Sequence, residues 1–289
     1  MITVLAEDRV FLDYGPVQMT LTARSEGRAM TEELQDAAKY VVRLLSDLAA
    51  VQKQAKDILT LDAPDLRVYP LPLQLMVQAV LDAGGRTLTP MAAVAGTFAD
   101  LAGDWLIEKG ATKVLVNNGG DIAIRLLGEE KTKLGLMPSI ESCEYSHVID
   151  LNSGNNIGGV ATSGRGGRSF TKGIASAVTI MARNARTADA CATLVANHCD
   201  IADPAIIRLP AEQLDPNTDI KGHLVTVNVG FLKPETKVKA LESGVRKALE
   251  LKNEGIICGA VLFLDDYMAM IPENVCQPVI IEGGLNNGN

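Results

Sequence analysis

The stretch Lys113–Arg125, K-V-L-V-N-N-G-G-D-I-A-I-R, constrains this chain more than any other. Val114, Leu115 and Val116 form an apolar, mostly β-branched run suited to a buried strand. Asn117, Asn118, Gly119 and Gly120 interrupt it, and residues 122–126 resume an extended pattern. Asn-Gly between two strand patterns is the strongest short-range hairpin signal. Two adjacent glycines also let the backbone take φ > 0 and approach a ligand that a Cβ would hold off. Asp121 follows directly, so a carboxylate and bare peptide N–H groups meet at one strand junction. A plain hairpin and a ligand-contacting turn are both open on this pattern.

The flanking segments predict a chain of helices and strands. Residues 2–23 read as two strands around Asp13-Tyr14-Gly15-Pro16, with Val17, Met19 and Leu21 alternating on one face. Thr31 is the expected N-cap of a long helix in which Leu34, Ala38, Val41, Leu45, Leu48 and Val51 recur at helical spacing. A shorter helix is expected over residues 73–81, closed by Gly84 and Gly85. Pro90 opens another that ends at Gly110. Its start crowds Ala92, Ala93, Ala95, Gly96 and Ala99, which serve either close helix packing or backbone carbonyls turned to a ligand or ion. Residues 128–145 read as an irregular surface excursion, 148–151 as a strand, and 152–167 as a Gly/Asn/Ser-rich loop. Residues 175–181 read as a strand, followed by a helix capped by Thr187. A strand over 223–229, an amphipathic helix over 234–253 and a buried strand over 256–264 complete the pattern.

With 289 residues the chain can bury a sizeable core, as one domain or two intimate ones. A net charge of −8 speaks against a nucleic-acid partner or an anionic membrane surface. No apolar run approaches the ~18 residues of a spanning helix, and the first residues lack the basic-then-apolar layout of a signal peptide. A cytoplasmic protein is therefore expected. The five cysteines are odd in number and form no C-x-x-C pair, which indicates neither a zinc site nor a disulfide framework. Cys191 and Cys258 read as small core residues; Cys143 and Cys276 lie in more polar sequence, where a redox or nucleophilic role stays open.

Two further segments carry chemistry. V-A-T-S-G-R-G-G-R-S at 160–169 has the free N–H groups, hydroxyls and guanidinium forks of an anion cradle, with a flexible surface loop as the alternative. No P-loop or strand-coupled G-x-G-x-x-G is present. Asp189 and Thr193 lie four apart and share a helix face, a small hard-oxygen set suited to Mg2+; favourable placement of Asp189 near the positive end of the helix dipole is the alternative.

N-N-G-G-D at 117–121, A-T-S-G at 161–164 and A-D-A-C-A-T at 188–193, with V-A-G-T-F-A-D at 94–100, resemble in order and spacing the motifs of ApbE-type proteins. These are Mg2+-dependent FAD:protein FMN transferases, and the C-terminal strand–helix–strand is similar to a smaller, largely uncharacterised cytoplasmic branch of anaerobic bacteria and archaea. The resemblance implies an α+β fold, related to the T-fold, with mixed sheets packed against long helices. It implies a single domain over 1–289, with its site built mainly from 90–197 and its fold completed by the strand–helix–strand of 221–289. It implies Mg2+ held by the Ala95 carbonyl, Asp189 and Thr193. FAD or another flavin nucleotide would lie against Asn118, Gly119, Gly120 and Asp121, near Thr162, Ser163, Gly164, Arg165 and Arg168. The partners implied are the nucleotide and an acceptor protein, with a homodimer left open. The chain also departs from the pattern. Gly96 stands where the family has lysine, and R-G-G-R-S-F-T-K-G-I-A-S-A-V replaces the H-x-I-D-P-x-T-G segment after T-S-G. Flavin transfer, FAD pyrophosphate cleavage, a part in homocysteine formation and flavin binding without turnover are the functions to be weighed.

Overall fold

A computed structural model describes residues 1–139, 142 and 144–279; Cys143 lies outside the described residues. The chain opens with β1 (Ile2–Ala6), β2 (Arg9–Tyr14), β3 (Val17–Ser25) and the short β4 (Arg28–Ala29). It then runs through α1 (Thr31–Ala50), α2 (Gln52–Ala55), α3 (Leu71–Asp82) and α4 (Val94–Glu108). β5 (Lys113–Asn118), β6 (Asp121–Leu126), β7 (Lys131–Leu136), β8 (His147–Asn152), β9 (Gly159–Ser163) and β10 (Ala177–Ala182) follow. α5 (Ala185–His198), β11 (Ile206–Pro210), α6 (Ala211–Leu214) and β12 (Leu224–Val229) lead into α7 (Pro234–Asn253), β13 (Ile257–Leu264), β14 (Tyr267–Ile271) and β15 (Gln277–Pro278). The α+β expectation holds.

One sheet takes the order β1-β2-β3-β5-β6-β9-β10-β13-β14, with β4 on β3; β15-β8-β7 and β11-β12 form two smaller sheets. Every pairing among the described residues is antiparallel. Side chains alternate across the middle strands as the pleat dictates. Ala123, Ala161, Val178 and Leu262 join the core shared with the helices. Their neighbours Ile124, Val160, Ala177 and Val261 join a second core with Leu136, Ile149 and Leu151 of the smaller sheet. A strand covered on both faces reads as an unbroken apolar run, which is why β13 is legible in the sequence. On the helical side α4 and α5 lie against the middle of the large sheet and against each other.

The structure corrects several boundaries. The N-terminal segment holds three strands, because the chain turns at Glu7-Asp8 as well as at Gly15-Pro16. Met30 rather than Thr31 precedes α1, and no side chain caps it; the Thr31 hydroxyl donates to the Glu7 carbonyl instead. Part of the expected surface excursion is β7, which pairs with β8. The Gly-rich stretch contains β9, an interior strand of the large sheet. Asn184, not Thr187, caps α5: its Oδ1 accepts from the Thr187 N–H at 2.8 Å. No helix among the described residues is long and apolar enough to cross a membrane.

Candidate functional site

The site begins with the way α4 and α5 meet. Glycine at 96 lets the two helix starts touch, since a Cβ there would stand 2.3 Å from the Ala185 carbonyl oxygen. One turn further along α4, Asp100 is fully buried and accepts from the N–H groups of Ala185 and Arg186, both at 3.0 Å. Together with Asn184, it satisfies the first three orphan amides of α5. Arg125 and Arg186 neutralise the same carboxylate at 2.9 and 3.1 Å. The start of α5 is thus locked to α4 and to β6, with no bond left to choose an alternative position.

That lock places Asp189, the first of the predicted pair, on the wall of α4: its Oδ2 accepts from the Gly96 N–H at 2.9 Å. The glycine turn arrives from the other side. β5 and β6 form the predicted hairpin, closed by Asn118 opposite Asp121, with Gly119 and Gly120 at φ of 74° and 112°. Both central positions need φ > 0 in the type I′ turn that suits strand twist. The buried Asn118 reaches back and donates from Nδ2 to the Ala95 carbonyl at 3.1 Å. The hairpin tip and the start of α4 are therefore joined by one amide.

Asp121 and Asp189, each half-buried, consequently line one cavity. Burial is the main cause that raises the Asp121 carboxyl from the usual 3.8 to about 7; the Thr162 N–H and the Arg168 charge pull the other way. Asp189 is raised by burial first and by the Asp121 charge second, against the N–H groups of Gly96 and Ala95. Two carboxylates desolvated together disfavour the doubly charged state. A cation held by Asp189, beside Asp121, would ease that penalty, and the Asp189 carboxylate with the Thr193 hydroxyl and the Ala95 carbonyl is a hard-oxygen set that fits Mg2+. No group of three or more His, Cys, Asp or Glu side chains placed to hold a metal occurs among the described residues.

Two cavities meet at Asp121. One, of 510 Å³, is largely apolar and runs between α1, the β2–β3 turn and α4, with Leu45, Leu48, Met91, Val94 and Phe98 in its wall. The other, of 320 Å³, is polar and contains Asp189 and Thr193 on one face of α5. Asp121, Ala95 and Arg168 belong to both. Asn118, Gly119, Thr162, Ser163 and Gly164 line the apolar cavity. Arg168 lies over the turn, its Nη1 at 3.4 Å from where a Gly119 Cβ would be, and it donates to Gln18.

Two predicted residues stand apart. Gly120 lines a third cavity, which shares Gly119, Thr162, Ser163 and Gly164 with the apolar one. Arg165 lines that cavity too and is engaged with Asp265 at 2.9 Å and Ser176 at 3.3 Å. Asp100 was quoted in a motif but given no role by sequence reasoning, because nothing in a sequence says which distant amides a buried carboxylate will meet. Among the cysteines, Cys276 is buried in the second core, and burial pushes its thiol upward, contrary to the polar surroundings expected. Its Sγ contacts Met270. Cys191 is buried as expected, whereas Cys258 is half-exposed. An inert Cys276 argues against direct sulfur chemistry at that residue.

Comparison with known proteins agrees with the motif reading. A "UPF0280 protein" of Methanothermobacter thermautotrophicus is 34% identical over 160 residues, 55% of this chain and 60% of that protein. Another of Methanopyrus kandleri is 32% identical over 216 residues, 72% of this chain and 81% of that one. The chain spans only 48% to 60% of the length of three archaeal relatives it matches. Among solved structures, Pseudomonas stutzeri flavinyl transferase ApbE in its apo form is similar with a TM-score of 0.49 at 13% identity, over 93% of this chain and 96% of that one. The family model described as "AbpE bacteria" matches residues 2–270, and the chain belongs to that ApbE-type family.

Proposed function

We propose that this protein binds a flavin nucleotide, FAD or a close analogue, together with Mg2+, and that it acts on the nucleotide's pyrophosphate. The supporting observation is the half-buried Asp121–Asp189 pair in the polar cavity, with Asp121 also lining the apolar one. The Ala95 carbonyl, Asp189 and Thr193 are the proposed metal ligands. When bound, Mg2+ would supply positive charge for the pyrophosphate oxygens. Asn118, Gly119 and Asp121, with Thr162, Ser163, Gly164 and Arg168, would hold the nucleotide, its planar ring system in the apolar cavity. Gly120 would act through the turn, and Arg165 from the third cavity. The reaction class is transfer of FMN from FAD to a hydroxyl of an acceptor protein, or to water, with AMP leaving. Site residues between 90 and 197 in one domain, and a cytoplasmic setting, belong to the same reading.

Incubation of the purified protein with FAD and Mg2+, with AMP measured by chromatography, tests it. AMP from the wild type and none from Asp189→Ala is the expected result. No AMP from either, and no FAD binding by fluorescence, would overturn the reading. FAD binding without AMP would reduce it to a carrier of the nucleotide.

A further inference from the structure

The polar cavity holds three cationic side chains that close no ion pair with its carboxylates. Lys56, Arg168 and Lys172 all line it. Among the described residues none of the three has a carboxylate oxygen within the 4.0 Å of an ion pair. Their polar partners are a carbonyl, a side-chain amide and an imidazole instead. Lys56 donates to the Asn217 carbonyl, Arg168 to Gln18, and Lys172 Nζ stands 3.3 Å from His223 Nδ1. These acceptors take one donor from each head and leave the remainder unengaged. The cavity's other acids, Asp215 and Asp219, have closer business: Asp219 accepts from the Thr89 hydroxyl, and Asp215 from the Asn217 N–H. Asp215 and Asp219 keep their charge, and that of Asp219 reaches Lys172, but neither closes an ion pair with Lys56, Arg168 or Lys172.

Lys172 is also rooted more firmly than a surface lysine needs to be. Its N–H donates to Asn197 Oδ1 at 2.9 Å, and its carbonyl accepts from the Thr226 hydroxyl at 3.1 Å. The backbone at 172 is thereby tied to α5 on one side and β12 on the other. Gly173 completes the fit, since a Cβ there would stand 2.0 Å from the Ala196 carbonyl oxygen. Burial lowers the Lys172 ammonium below the ordinary lysine range, and the Asp219 charge acts the other way. A half-buried ammonium on a fixed root, with no ion-pair partner, is stabilised by a ligand of opposite charge.

We infer that Lys172, supported by Lys56 and Arg168, forms a seat for a phosphate-type anion in the polar cavity, next to the Asp121–Asp189 pair. The inference deepens the proposed function and rests on it for the neighbouring cation and for the nucleotide as the source of the anion. Carboxylates on one side of the cavity call for a metal and the lysines call for an anion, and a metal-bound pyrophosphate answers both. Lys172 is a binding residue in this account, and Asn197 and Thr226 position it.

Calorimetric titration of the full chain with inorganic pyrophosphate and, separately, with FAD, each with Mg2+, tests the seat in wild type, Lys172→Met and Lys172→Arg. Loss of one charge-assisted contact predicts pyrophosphate binding about tenfold weaker or more in Lys172→Met, with a shallower salt dependence. Lys172→Arg, which keeps the charge, is expected within about threefold of wild type and shows that the fold tolerates change there. Pyrophosphate binding that is equal in wild type and Lys172→Met, or absent from the wild type, overturns the seat. Pyrophosphate binding that depends on Lys172 in a protein that ignores FAD would support the seat and overturn the flavin reading. FAD binding that is indifferent to Lys172 would do the reverse.

Discussion

Replacing Asp121 by Asn tests the half-buried carboxylate pair without any ligand. The carboxyl of Asp121 is raised from 3.8 to about 7, chiefly by burial. A raised acid stays protonated in the folded state where the unfolded chain has already ionised. Its contribution to stability is therefore complete below about pH 3.8 and is lost as the pH rises through about 7. At about 1.4 kcal/mol for each tenfold difference in proton affinity, the cost at pH 8 is on the order of 4 kcal/mol. Asn keeps the shape and carries no charge. It also relieves Asp189, whose carboxyl the Asp121 charge raises further. In chelator, Asp121→Asn is expected to be more stable than wild type at pH 8 by a few kcal/mol, and the two to converge near pH 4. Urea unfolding at pH 4, 6 and 8 measures this directly. A variant no more stable than wild type at pH 8, or a gap that does not close on acidification, would refute the reasoning. Millimolar Mg2+ is expected to narrow the gap by stabilising the wild type, as any ligand of the folded state does.

Asp100→Ala removes the partner of two α5 amides and two guanidinium groups at once, so a loss of about 3–5 kcal/mol is expected in urea unfolding. Asn184→Ala removes a single cap and is expected to cost about 1 kcal/mol; the reverse ranking would contradict the proposed lock. Burial pushes the thiols of Cys191 and Cys199 up to about 12, so neither is expected to react with a thiol reagent at pH 8 until the protein is unfolded. Rapid labelling of either in the native protein, read by peptide mapping, would show that the α5 region opens.

Periodicity made the regular elements readable. α7 spans Pro234–Asn253, as its amphipathic spacing predicts, and the N-N-G-G-D hairpin closes where its turn chemistry says. The misreadings have a common physical origin. Gly159 looked like part of a loop, yet a Cβ there would lie 2.1 Å from the Ala185 N. Glycine marks close approach of α5 to β9 there, a tertiary demand that local propensity does not register. β7 was hidden by Lys131 and Lys133, which belong to the exposed side of an edge strand, where lysine is a usual guard against unwanted pairing. Thr187 has the right residue type for a cap but sits at the third position of the helix, behind Asn184. At the site, the i, i+4 spacing of Asp189 and Thr193 was legible because it is local. The opposition of Asp121 to Asp189, and the arrival of Lys172 beside them, depends on how a hairpin, a helix crossing and a loop are stacked.

The same stacking joins the chain's two departures from its family's pattern. At position 96 a lysine is expected by resemblance, but the direct contact with Ala185 admits no side chain. Any larger residue would have to separate α4 from α5, and would draw the Gly96 N–H away from Asp189 and the Ala95 carbonyl away from Asn118. On the proposed reading, glycine at 96 forgoes a cation and brings the Gly96 N–H to the Asp189 carboxylate. Arg168 and Lys172 come from the segment that replaces H-x-I-D-P-x-T-G, and both reach the cavity that Asp189 lines. On the proposed reading, positive charge absent from α4 is restored from that loop. The two differences are then one coupled change, in which the anion is gripped from the opposite wall of the same site.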